Sequence, residues 1–109
     1  MNEDGIKVKA KIKLYRTENG GRKTAISTGY RPNHVFEYAD NSIDFVRTYI
    51  GEINLGYEYI QPGESAVGIV WFSPQKSLNK FIQKGRIWGL NEGSRKIGEA
   101  EILEILSGN

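Results

Sequence analysis

The stretch Gly20-Gly21-Arg22-Lys23-Thr24, followed by Gly29-Tyr30-Arg31-Pro32, decides the fold of this chain. Glycine accepts the positive φ of a tight turn, so the first motif predicts a turn that leads into a short strand. The proline that ends the second motif fixes φ at about −65° and forms a rigid corner. This spacing predicts that Arg22, Tyr30 and Arg31 lie close together.

The segments around this stretch predict further strands. Residues 6–14 alternate apolar side chains with lysines, as expected for a strand with one buried and one exposed face. Residues 66–72 are apolar at successive positions, which predicts a central strand buried on both faces. The other predicted elements are strands over 23–28, 34–38, 45–50, 86–90 and 96–106, and a polar loop from residue 73 with one helical turn that carries Leu78, Phe81 and Ile82.

Short strands separated by turn residues, with no long helical pattern, predict an all-β barrel or sandwich. Glycines at positions 68, 89 and 98 interrupt strand patterns, and we expect bulges or tight bends there. A chain of 109 residues is long enough for one domain and too short for two, so we expect a single domain over residues 1–109 with a core of about 6–106.

Composition narrows the class of protein. The chain contains no cysteine, which excludes a disulfide scaffold and a thiolate metal site. No apolar run approaches the roughly 20 residues of a membrane span, and no signal peptide is visible, so we expect a cytoplasmic protein without a membrane contact. The formal net charge of +2 does not by itself predict a nucleic-acid partner, although the first third is basic and the middle is acidic.

Catalytic motifs are missing from the sequence. A Gly-x-x-x-x-Gly-Lys-Ser/Thr loop for nucleotide phosphates does not occur. His34 is the single histidine, so a two-histidine metal site is excluded, and we expect this side chain to have a packing or surface role. Nothing singles out a pair of catalytic carboxylates. We therefore predict a non-enzyme with no catalytic residue, no metal and no cofactor.

Aromatic and basic side chains allow two interpretations. Phe36, Trp71, Phe72 and Phe81 are expected in the core, whereas Tyr30, Tyr38, Tyr49, Tyr57, Tyr59 and Trp88 could be exposed for stacking or partner contacts. The lysines of residues 7–13 either keep the strand from pairing with other edges or track a phosphate backbone. The first interpretation of the lysines is favoured.

Four motifs in order resemble the third domain of bacterial translation elongation factor Tu. They are Gly-Gly-Arg-x-Thr at 20–24, Gly-Tyr-Arg-Pro at 29–32, Pro-Gly at 62–63 and Glu-Gly-x-Arg-x-x-Gly at 92–98. The resemblance runs from residue 7 to residue 106 and implies a small closed six-stranded antiparallel β-barrel. It also implies a module without GTPase activity, because the sequence carries no match to the GTPase domain of that family.

The same resemblance implies a set of binding residues. In the family the barrel contacts the T-stem backbone of aminoacyl-tRNA, and the matching positions here are Arg22, Asn33, Ser42, Glu92 and Gly93. Arg31 lies on the face expected to hold Arg22 and Asn33. The chain departs from the usual family residues at Asn33, His34, Ser73 and Ser94.

The sequence therefore leaves several functions open. The first is a stand-alone binding module that contacts tRNA-like RNA. The alternative is a protein-protein interaction module that mimics or adapts an elongation-factor surface for a regulator, an exchange factor or a toxin. A weaker third possibility is a small-ligand barrel, which a pronounced internal cavity would support.

Overall fold

A computed structural model describes residues 5–38 and 47–107 of the chain. Its six strands are antiparallel and form one curled sheet, a half-barrel, with the order β2-β5-β6-β1-β4-β3. The strands are β1 (Ile6–Leu14), β2 (Asn33–Val35), β3 (Gly51–Asn54), β4 (Ser65–Phe72), β5 (Ile87–Glu92) and β6 (Arg95–Ser107), and the short 3-10 turns are η1 (Thr17–Asn19) and η2 (Lys76–Phe81).

Strand β1 lies inside the sheet and has no free edge, so the favoured interpretation that its lysines protect a strand edge is wrong. The prediction of one buried and one exposed face is confirmed. The apolar side chains of β1 are buried and its lysines are exposed along the whole strand. It pairs with β4 on one side and with the long strand β6 on the other. Alternate burial fixes this register, because a shift by one residue would move every lysine into the core.

Backbone hydrogen bonds also join segments next to the two edge strands. His34 of β2 and Tyr49 exchange N–H···O bonds of 3.3 and 2.9 Å. Tyr30 and Ile53 of β3 form a second bridge, in which the Ile53 amide donates to the Tyr30 carbonyl over 3.0 Å. These bonds hold the Gly-Tyr-Arg-Pro corner against β3.

An aromatic cluster fills one part of the core. Phe72 is fully buried, and its ring centroid lies 5.8 Å from that of Phe36 and 5.6 Å from that of Trp88. Turn η2 adds Leu78 and Phe81 to this core, as predicted for the helical turn. The expectation that Trp88 and Tyr49 are exposed is wrong, because both side chains are buried.

Two predicted strands differ from the structure. Residues 23–28 form no strand, and only Ile26 makes a bridge, to Ile60. The strand expected over 45–50 begins later, at Gly51; residues 45 and 46 lie outside the described part of the chain. The Arg22 side chain hydrogen-bonds to Thr24 and to the Ala25 carbonyl, which replaces part of a strand ladder there.

Gly89 and Gly98 allow a close approach of other groups to the backbone, and Gly98 also lies beside a bulge. A Cβ atom at Gly89 would lie 2.0 Å from the Tyr38 hydroxyl, and one at Gly98 would lie 2.4 Å from the Lys13 carbonyl oxygen. One register shift lies beside Gly98: Leu90 pairs with Gly98 but Asn91 pairs with Lys96, so the expected bulge at this glycine is confirmed. The register shows no shift at Gly68 or Gly89. Gly89 and Gly98 therefore let a tyrosine and a neighbouring strand pack directly on the backbone.

Over residues 5–38 and 47–107, no helix has the length and apolar character required to cross a membrane.

Candidate functional site

Arg22, Tyr30 and Glu92 meet at one end of the half-barrel, and we call these three residues the Arg22 cluster. The carboxylate oxygen Oε2 of Glu92 accepts hydrogen bonds from Nη1 of Arg22 and from the Tyr30 hydroxyl. The guanidinium carbon of Arg22 lies 4.9 Å from the centroid of the Tyr30 ring, a cation–π distance. The predicted proximity of Arg22 and Tyr30 is therefore confirmed.

Local backbone structure positions Arg22. Turn η1 ends at Gly20, which has a φ of 92°, a conformation that favours glycine. The Thr17 hydroxyl then donates to the Arg22 carbonyl over 2.6 Å. The guanidinium donates from Nε to the Thr24 carbonyl over 3.2 Å and from Nη2 to the Thr24 hydroxyl over 3.0 Å. Most of the donors of Arg22 are thus used within the chain.

The ionisation of the cluster reflects this arrangement. Burial opposes the charge of Glu92, but hydrogen bonds from Tyr30 and Arg22 outweigh it and lower the pKa of the carboxyl group. Burial and the hydrogen bond to Glu92 raise the pKa of the Tyr30 hydroxyl. Burial also opposes the charge of Arg22, but its bond to Glu92 leaves the guanidinium pKa raised. At neutral pH the cluster holds one cation, one carboxylate and one neutral phenol.

Further polar groups surround the cluster on the solvent side. Glu92 and Arg95 pair across the turn from β5 to β6, in which Gly93 has a φ of 61°. Nη2 of Arg95 lies 3.6 Å from Oε1 of Glu92, and the Arg95 side chain is 57% exposed. Asn33 is half-buried and pairs in register with Asn91, the neighbour of Glu92. Gly93 and Arg95 therefore border the Arg22 cluster, whereas Asn33 lies at the same end of the sheet beside Asn91.

Arg31 points to a different neighbour. Its Nη2 atom lies 3.7 Å from Oε1 of Glu52 in β3, and its side chain is 60% exposed. Because Tyr30 and Arg31 are consecutive in an extended segment, their side chains leave it on opposite sides. The structure thus brings Arg22 and Glu92 into contact, with Gly93 next to Glu92 in the chain. Asn33 reaches this end of the sheet through its pairing with Asn91, and Arg31 faces β3 instead of the cluster. Ser42 lies outside the described residues.

His34 belongs to the core and not to this end of the sheet. Its side chain is fully buried, and its Nδ1 atom accepts a hydrogen bond of 3.0 Å from Nε1 of Trp88. Burial lowers the pKa of His34 to about 4. The expected packing role is confirmed, and within the described ranges no group of histidine, aspartate and glutamate side chains could hold a metal ion.

Sequence reasoning did not select Arg95 as a site residue. The signal was present, since Glu92 and Arg95 flank the two residues Gly93-Ser94, and a two-residue turn places its flanking residues opposite one another. No protein-family model matches the chain. The interpretation of this end of the half-barrel therefore depends on its residues and their geometry.

Replacing Glu92 with glutamine is expected to lower the free energy of unfolding by about 1–2 kcal/mol, because charge-assisted hydrogen bonds from Arg22 and Tyr30 are weakened at a partly exposed site. Urea unfolding at pH 7 measures this loss. Glu101→Gln is the matched control, since Glu101 lies in the middle of β6 opposite Lys11. A Glu92→Gln variant as stable as Glu101→Gln would show that the cluster does not brace the fold.

Proposed function

We propose that the chain is an elongation-factor-Tu domain-3-like binding module, and that it binds the backbone of a tRNA-like RNA stem. The observation that carries this proposal is the convergence of Arg22, Tyr30, Asn33, Glu92 and Gly93 at one end of the sheet. All of these except Tyr30 are among the five residues that the motif resemblance assigns to RNA contact, and the fifth, Ser42, lies outside the described residues. Their meeting supports a shared role.

We also propose that the half-barrel closes into a six-stranded barrel. The His34–Tyr49 and Tyr30–Ile53 bridges support closure, because they join the segments at the two edges of the sheet. A closed barrel has no free strand edge that could pair with other chains. It would also hold the Gly-Tyr-Arg-Pro corner rigidly beside the turn at Gly93.

Within this proposal Arg22 is a positioning residue. Its guanidinium is bound to Glu92 and Thr24, so a phosphate would have to displace those partners. Arg95 and Arg31 are better phosphate contacts, because each is more than half exposed and lies 3.6–3.7 Å from its carboxylate. Exposed ion pairs of this kind contribute little stability, so exchanging a carboxylate for a phosphate costs little.

Neutral groups complete the contact surface. The half-buried Asn33 side chain and the exposed turn at Gly93 can hydrogen-bond to phosphate or 2′-hydroxyl oxygens. Such contacts position a backbone without reading its sequence. The 109 residues contain no phosphate loop of the NTPase type. The proposed role is therefore binding without nucleotide hydrolysis.

Fluorescence anisotropy with a labelled tRNA at low salt tests the proposal. We expect weak binding. The logarithm of the association constant should fall linearly with the logarithm of the salt concentration, with a slope that indicates only a few phosphate contacts. Arg95→Gln and Arg31→Gln each remove one proposed phosphate contact, so each is expected to reduce the magnitude of this slope by about 1. Lys11→Gln is the control, since it removes the same charge from the middle of the outer sheet face.

Two outcomes would contradict this function. One is the absence of tRNA binding at low salt, and the other is equal weakening by Lys11→Gln and by Arg95→Gln. A partner from cell lysate that stays bound to the chain after nuclease treatment, together with absent tRNA binding, would support the protein-interaction alternative instead.

A further inference from the structure

The outer face of β4 carries an apolar row that the sequence analysis placed in the core. Val67, Ile69 and Trp71 point outward, and Val67 is 51% exposed, whereas Val70 and Phe72 point inward and are fully buried. The expectation that β4 is buried on both faces is therefore wrong. Trp71 in particular is a half-buried indole on the surface of the sheet and not a core residue.

Trp71 and Ile69 line an open groove of about 570 Å³ on this outer face. Its volume lies in the range of sites for small organic groups. The groove combines apolar and aromatic surface with a small number of polar groups, as such sites do. Its described lining residues are Lys7, Thr28, Glu52, Asn54, Ile69 and Trp71.

The electrostatics of the lysine row single out Lys7. The row consists of Lys7, Lys9, Lys11 and Lys13 of β1. Lys9 and Lys11 each face a glutamate of β6, about 4.8 Å away across the sheet, whereas Glu99, which faces Lys13, pairs with Lys96 over 3.2 Å. Lys7 faces Ser107 on β6 and Trp71 on β4. Lys7 is thus the lysine of the row that has no glutamate opposite it on β6, and it lies beside the indole ring.

Among the described residues that line the groove, the one carboxylate has its own cationic partner. Oε1 of Glu52 lies 3.7 Å from Nη2 of Arg31, so the pair is close to neutral. Over its described lining, the groove therefore carries the positive charge of Lys7. Arg31 also lies between the groove and the Arg22 cluster. It pairs with Glu52, which lines the groove, and it directly follows Tyr30 of the cluster in the chain.

We propose that this groove binds one unpaired nucleotide of the RNA, with the base against Trp71 and Ile69 and the phosphate at Lys7. The proposal rests on the function proposed above and adds a second contact, reached past Arg31. Base stacking on an indole and a phosphate on a nearby lysine are the two elements of single-strand recognition. The glutamates of β6 limit the contact to one nucleotide, because they repel a backbone that continues along β1.

Binding of a fluorescein-labelled single-stranded hexaadenylate to the full chain tests the groove directly. Trp71→Ala is expected to weaken the affinity about tenfold, and Trp71→Phe, which keeps an aromatic ring, should retain most of it. Lys7→Gln is expected to weaken it about fivefold, and the matched Lys11→Gln variant less than twofold. Circular dichroism verifies that each variant keeps the native β spectrum.

Tryptophan fluorescence with unlabelled hexaadenylate adds a second readout. Trp88 is 2% exposed, so stacking of a base can quench only Trp71. We expect quenching in the wild-type chain and none in Trp71→Phe, where Trp88 remains as the fluorophore. Equal effects of Lys7→Gln and Lys11→Gln, or quenching that persists in Trp71→Phe, would overturn the proposal.

The same probes distinguish this inference from the proposed function. Arg95→Gln should weaken binding of a fully paired RNA stem and leave hexaadenylate binding unchanged. Loss of stem binding alone would overturn the stem-binding function while the groove remains a nucleotide site. Absence of hexaadenylate binding with intact stem binding would overturn the groove alone.

Discussion

Replacing Phe72 with alanine is expected to lower the free energy of unfolding by about 3–5 kcal/mol, the range for truncating a fully buried phenylalanine. Phe72 is fully buried and lies edge-on to His34, Phe36 and Trp88. Deleting its ring leaves a cavity between β4 and the segments that carry these three residues. Urea unfolding at pH 7 measures the effect.

Val67→Ala is the matched control for this prediction, because Val67 lies in the same strand but faces solvent. We expect it to cost less than about 1 kcal/mol, mainly through β propensity. Similar losses for Phe72→Ala and Val67→Ala would contradict the assignment of inward and outward faces in β4.

Lowering the pH from 7 to 4 is expected to remove about 3 kcal/mol of stability through His34 alone. The pKa of this histidine is about 4 in the folded chain, compared with about 6.5 for an exposed histidine. Burial disfavours the charged imidazole. In addition, Nδ1, the atom that would take up the proton, already accepts a hydrogen bond from Nε1 of Trp88.

The direction of the pH effect follows from this depressed pKa. Above about pH 6.5 neither state binds the proton, and the full stability is present. Between about 6.5 and 4 the unfolded chain is protonated first, so stability falls as the pH falls. The pKa of Glu92 is also lowered, so its contribution to stability is likewise lost as the pH falls. That loss begins only below the ordinary pKa of a glutamate, about 4.3, and therefore at lower pH than the loss through His34.

Two measurements check the role of His34. Because the chain has one histidine, its ring signals in an NMR titration report this pKa without assignment ambiguity. Urea unfolding across the same pH range should show a stability decrease between pH 6.5 and 5 that is flattened in His34→Gln. A folded-state pKa near 6.5, or an unchanged slope in the variant, would contradict the buried neutral imidazole.

Much of the sheet could be predicted from local patterns. The alternation of residues 6–14 determines which face of β1 is buried, and the apolar run at 66–72 and the long segment at 96–106 both form strands. The contact of Arg22 with Tyr30 was also predictable, because a glycine turn and a proline corner constrain the chain on both sides.

Other features depend on contacts that no local pattern contains. Trp71 was expected in the core and is half-buried on the outer face, whereas Trp88 was expected to be exposed and is buried. The face that each indole occupies depends on how its strand pairs with its neighbours in the sheet. Gly89 could be mistaken for a bulge because the tyrosine that packs on it is distant in sequence. Whether a lysine of β1 faces a glutamate depends on the residue opposite it on β6, and the local pattern of β1 does not contain that information.

The most direct test of RNA binding at the Arg22 end is a ¹⁵N–¹H NMR titration of the full chain with an unlabelled hairpin RNA that mimics a T-stem. We expect the largest amide shifts at Asn33, Gly93 and Arg95. Amides of η2, whose Ser77 side chain contacts Arg47 and Tyr49 instead, should change little. Saturable shifts confined to η2 or to β6 beyond Glu99, with Gly93 and Arg95 unmoved, would contradict the proposed interface.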